Sequence, residues 1–208
     1  MASISVCNQA LAEIRAPTIV SIDDGTPEAD ACAQHYDDCL STLLECHEWS
    51  FAKKRVSLAL RGTNDRSGEW VYAYALPSDV GVAGAVVYAA PTPPVGVYFP
   101  WPYDWPRPPF YLTDFVLEGS TIYTNLESAV YEYSSNSPDE SLWPAMFRRA
   151  LVLDLASRLA LSLRDDRALK GDFIQQSEAA KRRAMADDIN RYPKRDAPVI
   201  DEVAMVRR

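Results

Sequence analysis

Glycine is scarce in this chain: eight among 208 residues, and none in a G-x-G arrangement. Dinucleotide fingerprints and phosphate-binding loops need glycines at fixed spacing so that backbone N–H groups can approach a phosphate, and neither pattern occurs. No serine sits in a G-x-S-x-G elbow. There are two histidines, His35 and His47, which twelve residues of helix would hold about 18 Å apart. No run of about 18 apolar residues exists, so no membrane span is expected. The opening M-A-S-I-S-V-C-N-Q-A has no base ahead of an apolar stretch, so no secretory signal is expected either. Bases are nearly missing from residues 1–52, where Arg15 stands against nine acids; the remaining 156 residues hold 20 of each, so the whole formal charge of −8 belongs to the first quarter. A freely exposed nucleic-acid reader carries the opposite sign, because phosphate neutralisation supplies its affinity. This acidic stretch reads either as a solvated helix face or as a surface that faces DNA without holding it.

The cysteines are Cys7, Cys32, Cys39 and Cys46. The last three are seven residues apart, about 10.5 Å per step on a helix. That is too far for two thiolates to share a zinc ion or to form a disulfide. Buried thiols acting as small hydrophobes are the expectation. His35 and Cys39 are four apart and Cys46 adjoins His47, but neither pair has the third and fourth ligands of a metal site. Adjacent helical residues point about 100° apart, so Cys46 and His47 make a poor thiol–imidazole dyad. Asp37-Asp38 and Asp165-Asp166 read as surface or helix-end charges. No catalysis, cofactor or metal is expected.

What the chain does have is a strong alternation of structure types. Ile4, Cys7, Leu11 and Ile14 mark an amphipathic helix over 3–16, stopped by Pro17. A second helix, 27–46, starts with Thr26 as N-cap and Pro27 at its first position, and buries Ala29, Cys32, Tyr36, Cys39, Leu43 and Cys46. These two are expected to pair antiparallel. A β module follows over 54–134, with candidate strands at 54–60, 69–76, 84–90, 110–117, 121–124 and 129–134 and a hairpin turn at Glu118-Gly119-Ser120. Trp70, Tyr72, Tyr74 and Leu76 alternate with smaller residues, placing four large groups on one strand face. Helices return at 142–164, entered either through Ser137-Pro138-Asp139-Glu140 as N-cap serine, first-position proline and capping-box glutamate, or near Ser141 with Pro144 in the first turn, and at 168–190, which is far more polar. Residues 1–190 thus read as a single α+β domain, a helical bundle from both ends of the chain with a central antiparallel β module, and 191–208 as a tail.

Two stretches read as working surfaces. The interval 91–109 holds eight of the 15 prolines, and within it Tyr98, Phe99, Trp101, Tyr103 and Trp105 form a stiff aromatic strip. Prolines cut the entropy lost on binding, and Trp and Tyr are the usual interface anchors. The strip either contacts a neighbouring subunit or tail protein, or folds back onto the domain's own sheet. The second is the C-terminal limb, Arg182, Arg183, Arg191, Tyr192, Lys194, Arg195, Val199 and Ile200. It reads either as a solvated helix or as a segment that orders on a partner.

The order of short motifs carries a resemblance. Cys7-Asn8-x-Ala10-Leu11-x-x-Ile14, Ile22-Asp23-Asp24 and Ala29-x-x-Cys32-x-x-x-Tyr36 come first. His47-Glu48-Trp49-Ser50-Phe51-Ala52, Leu58-Ala59 and Tyr72-Ala73-Tyr74-x-Leu76-Pro77-x-Asp79 follow. Leu117-Glu118-Gly119-x-x-Ile122-Tyr123-Thr124-Asn125, Tyr131-x-Tyr133, Trp143-x-x-x-Phe147-x-x-Ala150-Leu151 and Leu155-Ala156-x-x-Leu159-Ala160 complete the series. Together they resemble the head-to-tail adaptor proteins of tailed bacteriophages, the tail tubular protein A type, over residues 4–165. The interval 91–109 looks like an insertion, and nothing after 190 matches. The resemblance implies a non-enzymatic virion protein of the tail or neck, assembled in the host cytoplasm. Its partners would be the portal protein, the tail nozzle protein and further copies of itself in a ring of about twelve. The ring would complete the channel through which DNA leaves, with DNA passing unbound and no membrane engaged. Helical parts would engage the portal and β parts the tail, with the C-terminal limb as the portal contact and the acidic first quarter partly lining the lumen. The competing reading is a peptide or small-molecule binding module that uses the 98–105 strip and has no virion role. A head-completion plug of a long-tailed phage is a third.

Overall fold

A computed structural model of the chain describes residues 3–88 and 114–191. Among them the order is α1 (Ile4–Glu13), α2 (Pro27–Glu45), β1 (Lys53–Ser57), β2 (Tyr72–Ala75), β3 (Val80–Tyr88), β4 (Phe115–Glu118), β5 (Thr121–Thr124), β6 (Ala129–Ser135), α3 (Ala145–Arg164) and α4 (Arg167–Arg191). This is an α+β fold, with helices from both ends of the chain and antiparallel strands between them. The described residues divide into two compact units, 3–53, 79–82 and 134–191 in one and 54–78, 83–88 and 114–133 in the other.

The first unit is helical and is built around α3. Phe147, Ala150, Leu151, Val152, Leu153, Leu155, Ala156, Leu159 and Ala160 are all buried, so α3 is apolar on nearly every side. Such a helix has to be covered all round. It packs most extensively against α4 and then against α2 and α1, while α1 and α2 meet each other over a smaller area, Cys7 against Cys32 and the Ser3 backbone against Tyr36. The order of these two contacts, 3 with 36 and 7 with 32, is the expected antiparallel one, and both stripes also face a helix that arrives a hundred residues later. Satellites of this core include Leu163, Leu169, Ala180 and Met185.

Local chemistry sets the helix ends. Thr26 Oγ1 accepts from the Ala29 amide at 3.2 Å and Pro27 takes the first helical position, as expected. The first helix stops at Glu13, three residues short of the expected 16. Arg15 adopts a left-handed φ of 57°, the Ala16 N–H bonds the Leu11 carbonyl and the Arg15 N–H that of Ala12. This is the Schellman stop that satisfies the last carbonyls. The third helix starts at Ala145 with Pro144 as its N-cap, later than the expected 142. Trp143 precedes that proline and is extended at ψ 124°, because proline disfavours helical geometry in the residue before it. Asp139 instead caps a short 3-10 turn, Glu140–Leu142, accepting from the Ser141 amide at 2.8 Å. A left-handed Asp165, φ 49°, joins α3 to α4.

The W-S-F-A segment is part of this core. Phe147 meets Trp49, Phe51 and Trp143 edge-on, with centroids 4.9, 4.9 and 5.3 Å away. Such contacts add about 0.5–1.5 kcal/mol each beyond area burial. The Trp49 indole N–H donates to the Leu43 carbonyl at 2.8 Å, giving the end of α2 one of the partners its last turn lacks.

In the second unit, β5 pairs antiparallel with both β2 and β4. The β4–β5 link is the expected hairpin, with Glu118 opposite Thr121 and Gly119 at φ 56° first in a two-residue loop, where a glycine is preferred. The other sheet runs in the order β1-β6-β3. The expected strand 69–76 shortens to Tyr72–Ala75, because the Trp70 N–H bonds back to the Arg66 carbonyl and Asn64 holds the Trp70 carbonyl at 2.7 Å. Trp70 is thus in a turn and the four-group face is corrected: Tyr74 alone of the four is buried, its hydroxyl donating to Leu126 O at 2.7 Å. The first strand also ends early, at Ser57, and Leu60 goes on to bridge Tyr74. Gly84 is required where it stands, since a Cβ there would lie 1.6 Å from the Glu132 carbonyl oxygen.

Candidate functional site

The C-terminal limb enters the described structure through α4. Arg182, Arg183 and Arg191 are all exposed. Arg182 shares a face with Ile189, seven residues on and 56% exposed, so a cation and an apolar group stand together there. Arg191 belongs to another stripe, seven residues after buried Ala184, and pairs with Asp187 at 2.9 Å. Tyr192, Lys194, Arg195, Val199 and Ile200 lie outside the described residues, as do Tyr98, Phe99, Trp101, Tyr103 and Trp105.

Near its end α4 carries a buried carboxylate. Asp188, 6% exposed, accepts from the Ser50 hydroxyl at 2.5 Å and the Ser50 amide at 3.1 Å, and lies 3.3 Å from His47 Nε2. An aspartate, a serine and a histidine thus meet, but both partners are bound to the carboxylate. The hydroxyl donates to Asp188 and not to the imidazole, so His47 is not placed as its base. The carboxylate acts as a cap on the short turn Ser50–Ala52 and fastens α4 to the chain segment that follows α2.

A second polar seam lies higher in the bundle. Lys181 sits 3.2 Å from both Asp154 and Glu178, and the Lys181 and Asp154 side chains are only 14% and 13% exposed. Burial works against the Lys181 charge, but the two carboxylates outweigh it and the pKa is raised. Cys39, buried on α2, has its thiol pushed up to about 12, first by burial and then by the nearby Asp154. Cys7 and Cys32 are buried as expected, whereas Cys46 is exposed, because α2 ends at Glu45 and its apolar stripe runs out one residue earlier. Among the described residues no three His, Cys, Asp or Glu side chains gather to hold a metal.

Beside this seam, α2, α3 and the first turns of α4 enclose an open cleft of about 440 Å³, lined by His35, Arg158, Lys170, Leu161 and Ile174 with Asp154 and two serines. Arg158 donates to Asp38 on α2, and Lys170 forms no ion pair with the described residues. His35 is held below its ordinary pKa, by burial first and then by Arg158, with Lys170 adding and Asp38 opposing. Leu161 and Ile174 are 37% and 44% exposed at the rim. The cleft offers positive charge and apolar surface together, a combination that receives carboxylates carried on an apolar backing.

Of the nine acids in the first quarter, Asp23, Asp24, Asp30, Asp37, Asp38, Glu45 and Glu48 are exposed. Asp38 and Glu48 pair with Arg158 and Lys53, and half-buried Glu13 pairs with Arg149. Asp30 and Asp37 are seven apart on one face of α2 and make no ion pair with the described residues.

Sequence reasoning missed both the Asp188 network and the cleft. The first left a trace: Phe173, Ser177, Ala184 and Asp188 follow the helical stripe, so an acid occupied a core position. The cleft left none, since its residues are spread from 35 to 174 over three helices. Compared with known proteins, the chain matches no family model, and no curated protein matches it.

Proposed function

We propose that this chain is a structural subunit of a phage head-to-tail adaptor ring, placed between portal and tail nozzle and enclosing part of the DNA exit channel. The observation that carries the reading is the ordered series of motifs from Cys7 to Ala160. It is supported by where those residues fall. The W-S-F-A entry and the Trp143–Phe147 pair meet in one aromatic cluster, and the Leu-Ala repeat forms the middle of α3. A motif series whose members pack on one another is a set of fold determinants. The site chemistry points the same way: Asp188, Ser50 and His47 are wired as a cap, and the exposed groups of α2 and α4 are charges and isolated apolar side chains suited to protein contact.

The test is co-expression with the portal protein of the same phage, followed by negative-stain imaging and mass measurement. The expected product is a portal with a second ring of about twelve copies of this chain attached. Monomers that never associate with the portal overturn the reading.

A further inference from the structure

The described surface carries an apolar-rimmed cleft holding Lys170, which the adaptor reading leaves unassigned, and an acidic outward face on α2, part of the first quarter that the reading sets only in part along the lumen. We propose that they are partners, the cleft of one copy receiving Asp30 and Asp37 from the α2 helix of the next copy. The proposal rests on the reading of the chain as a ring subunit and names the contact between neighbours.

Three observations carry it. Within the cleft the other charges are already matched, Arg158 to Asp38 and Asp154 to Lys181, which leaves Lys170 as the cation still to be met. Lys170 is half-buried, and among the described residues no acid pairs with it. A partly desolvated ammonium without a counterion is costly, and an arriving carboxylate removes that cost. The intended partner is well matched, because Asp30 and Asp37 are exposed, uncommitted within the described residues, and separated on the same face by the small Ala33 and the uncharged Gln34. Ala33 leaves the middle of that face low, so the helix can approach closely enough to cover Leu161 and Ile174 at the rim.

The placement also suits a ring. At 3.6 residues per turn, Asp30 and Asp37 stand about 140° and 160° around α2 from His35. Donor and acceptor surfaces on opposite sides of one subunit cannot meet in a two-fold dimer. They give head-to-tail contacts, which close when each step adds a rotation. An opposition short of 180° supplies such a rotation.

The test uses the full chain in sedimentation velocity up to about 200 µM at low and high salt, alone and co-expressed with the portal. Lys170→Glu and Asp30→Lys/Asp37→Lys are each expected to weaken association at least tenfold, with Lys170→Gln intermediate. The combined variant, with both faces reversed, is expected to regain assembly, which excludes misfolding as the cause of the single losses. Reversals that leave ring assembly unchanged, or a combined variant that fails to recover, overturn the contact while the adaptor reading stands. A wild-type chain that stays monomeric alone and joins the portal without sensitivity to Lys170→Glu does the same. Failure to join the portal in any form removes both.

Discussion

Replacing Asp188 by alanine tests the helical unit at its most specific polar contact. The substitution leaves the Ser50 amide and hydroxyl without the carboxylate they share, and frees His47. An unsatisfied buried donor costs about 1–3 kcal/mol. Ser50 is half-buried, so water recovers part of the loss at its hydroxyl. The sum comes to about 2–3 kcal/mol, or about 5–10 °C in melting temperature for a chain of this size. Asp188→Asn keeps an acceptor and should cost about 1 kcal/mol, the charge-assisted part of the bonds. Ser50→Ala alone should also cost about 1 kcal/mol, and the double variant Ser50→Ala/Asp188→Ala should fall short of additivity by a similar amount, since one orphan is removed with its partner. Urea titration followed by tryptophan emission reads this directly, because Trp49 lies one residue from Ser50 and is buried. An Asp188→Ala variant within about 0.5 kcal/mol of wild type, or a strictly additive cycle, would refute the assignment of Asp188 as the cap.

Gly84→Ala should destabilise the β module by more than about 3 kcal/mol, since the new methyl group would meet the Glu132 backbone rather than a side chain that can move; a soluble variant with unchanged melting would disprove the close approach. Lys181→Met should cost about 3 kcal/mol by leaving the Asp154 carboxylate uncompensated, while Lys181→Met/Asp154→Leu should return near wild type. Because the Lys181 pKa is raised on folding, its contribution should be complete below the ordinary lysine value of 10.5 and fade as pH climbs above it, a loss absent from the double variant in alkaline melts. Finally, one thiol per native chain should react with a disulfide reagent at pH 8, abolished by Cys46→Ser, against four in guanidine. The reaction should be slow, as burial of the sulfur raises the Cys46 pKa, and a second reactive thiol in the native state would contradict the burial of Cys7, Cys32 and Cys39.

What could be read from the sequence was what neighbouring residues decide among themselves. Thr26 with Pro27 fixed one helix start, and Gly119-Ser120 one hairpin, because caps and tight turns are local chemistry. The 3.6-residue stripe of Leu151, Leu155 and Leu159 announced α3, but not that this helix would be the common partner of the other three. A stripe shows that a face is buried and says nothing about which element buries it. The same limit explains Trp70, whose place in the alternating pattern was overridden by Asn64 and Arg66 folding a turn around it. Asp188 and the cleft belong to tertiary structure, drawing on residues up to 141 positions apart.

The central position of α3 also sets a schedule for synthesis. Glu45 ends α2 and Ala145 begins the helix that α1 and α2 pack against. At about 5–20 residues per second, a ribosome needs about 5–20 s to cover that interval. Throughout it, the apolar stripes of Val6, Cys7, Leu11, Cys32, Tyr36 and Leu43 have only each other and lack the α3 surface that covers them in the finished unit. The charge carried by this waiting segment is almost all of one sign, which keeps nascent copies on neighbouring ribosomes from joining through those stripes. Like-charge repulsion among the acids of the first quarter thus opposes association of early-made half-cores until the helix that completes them is made.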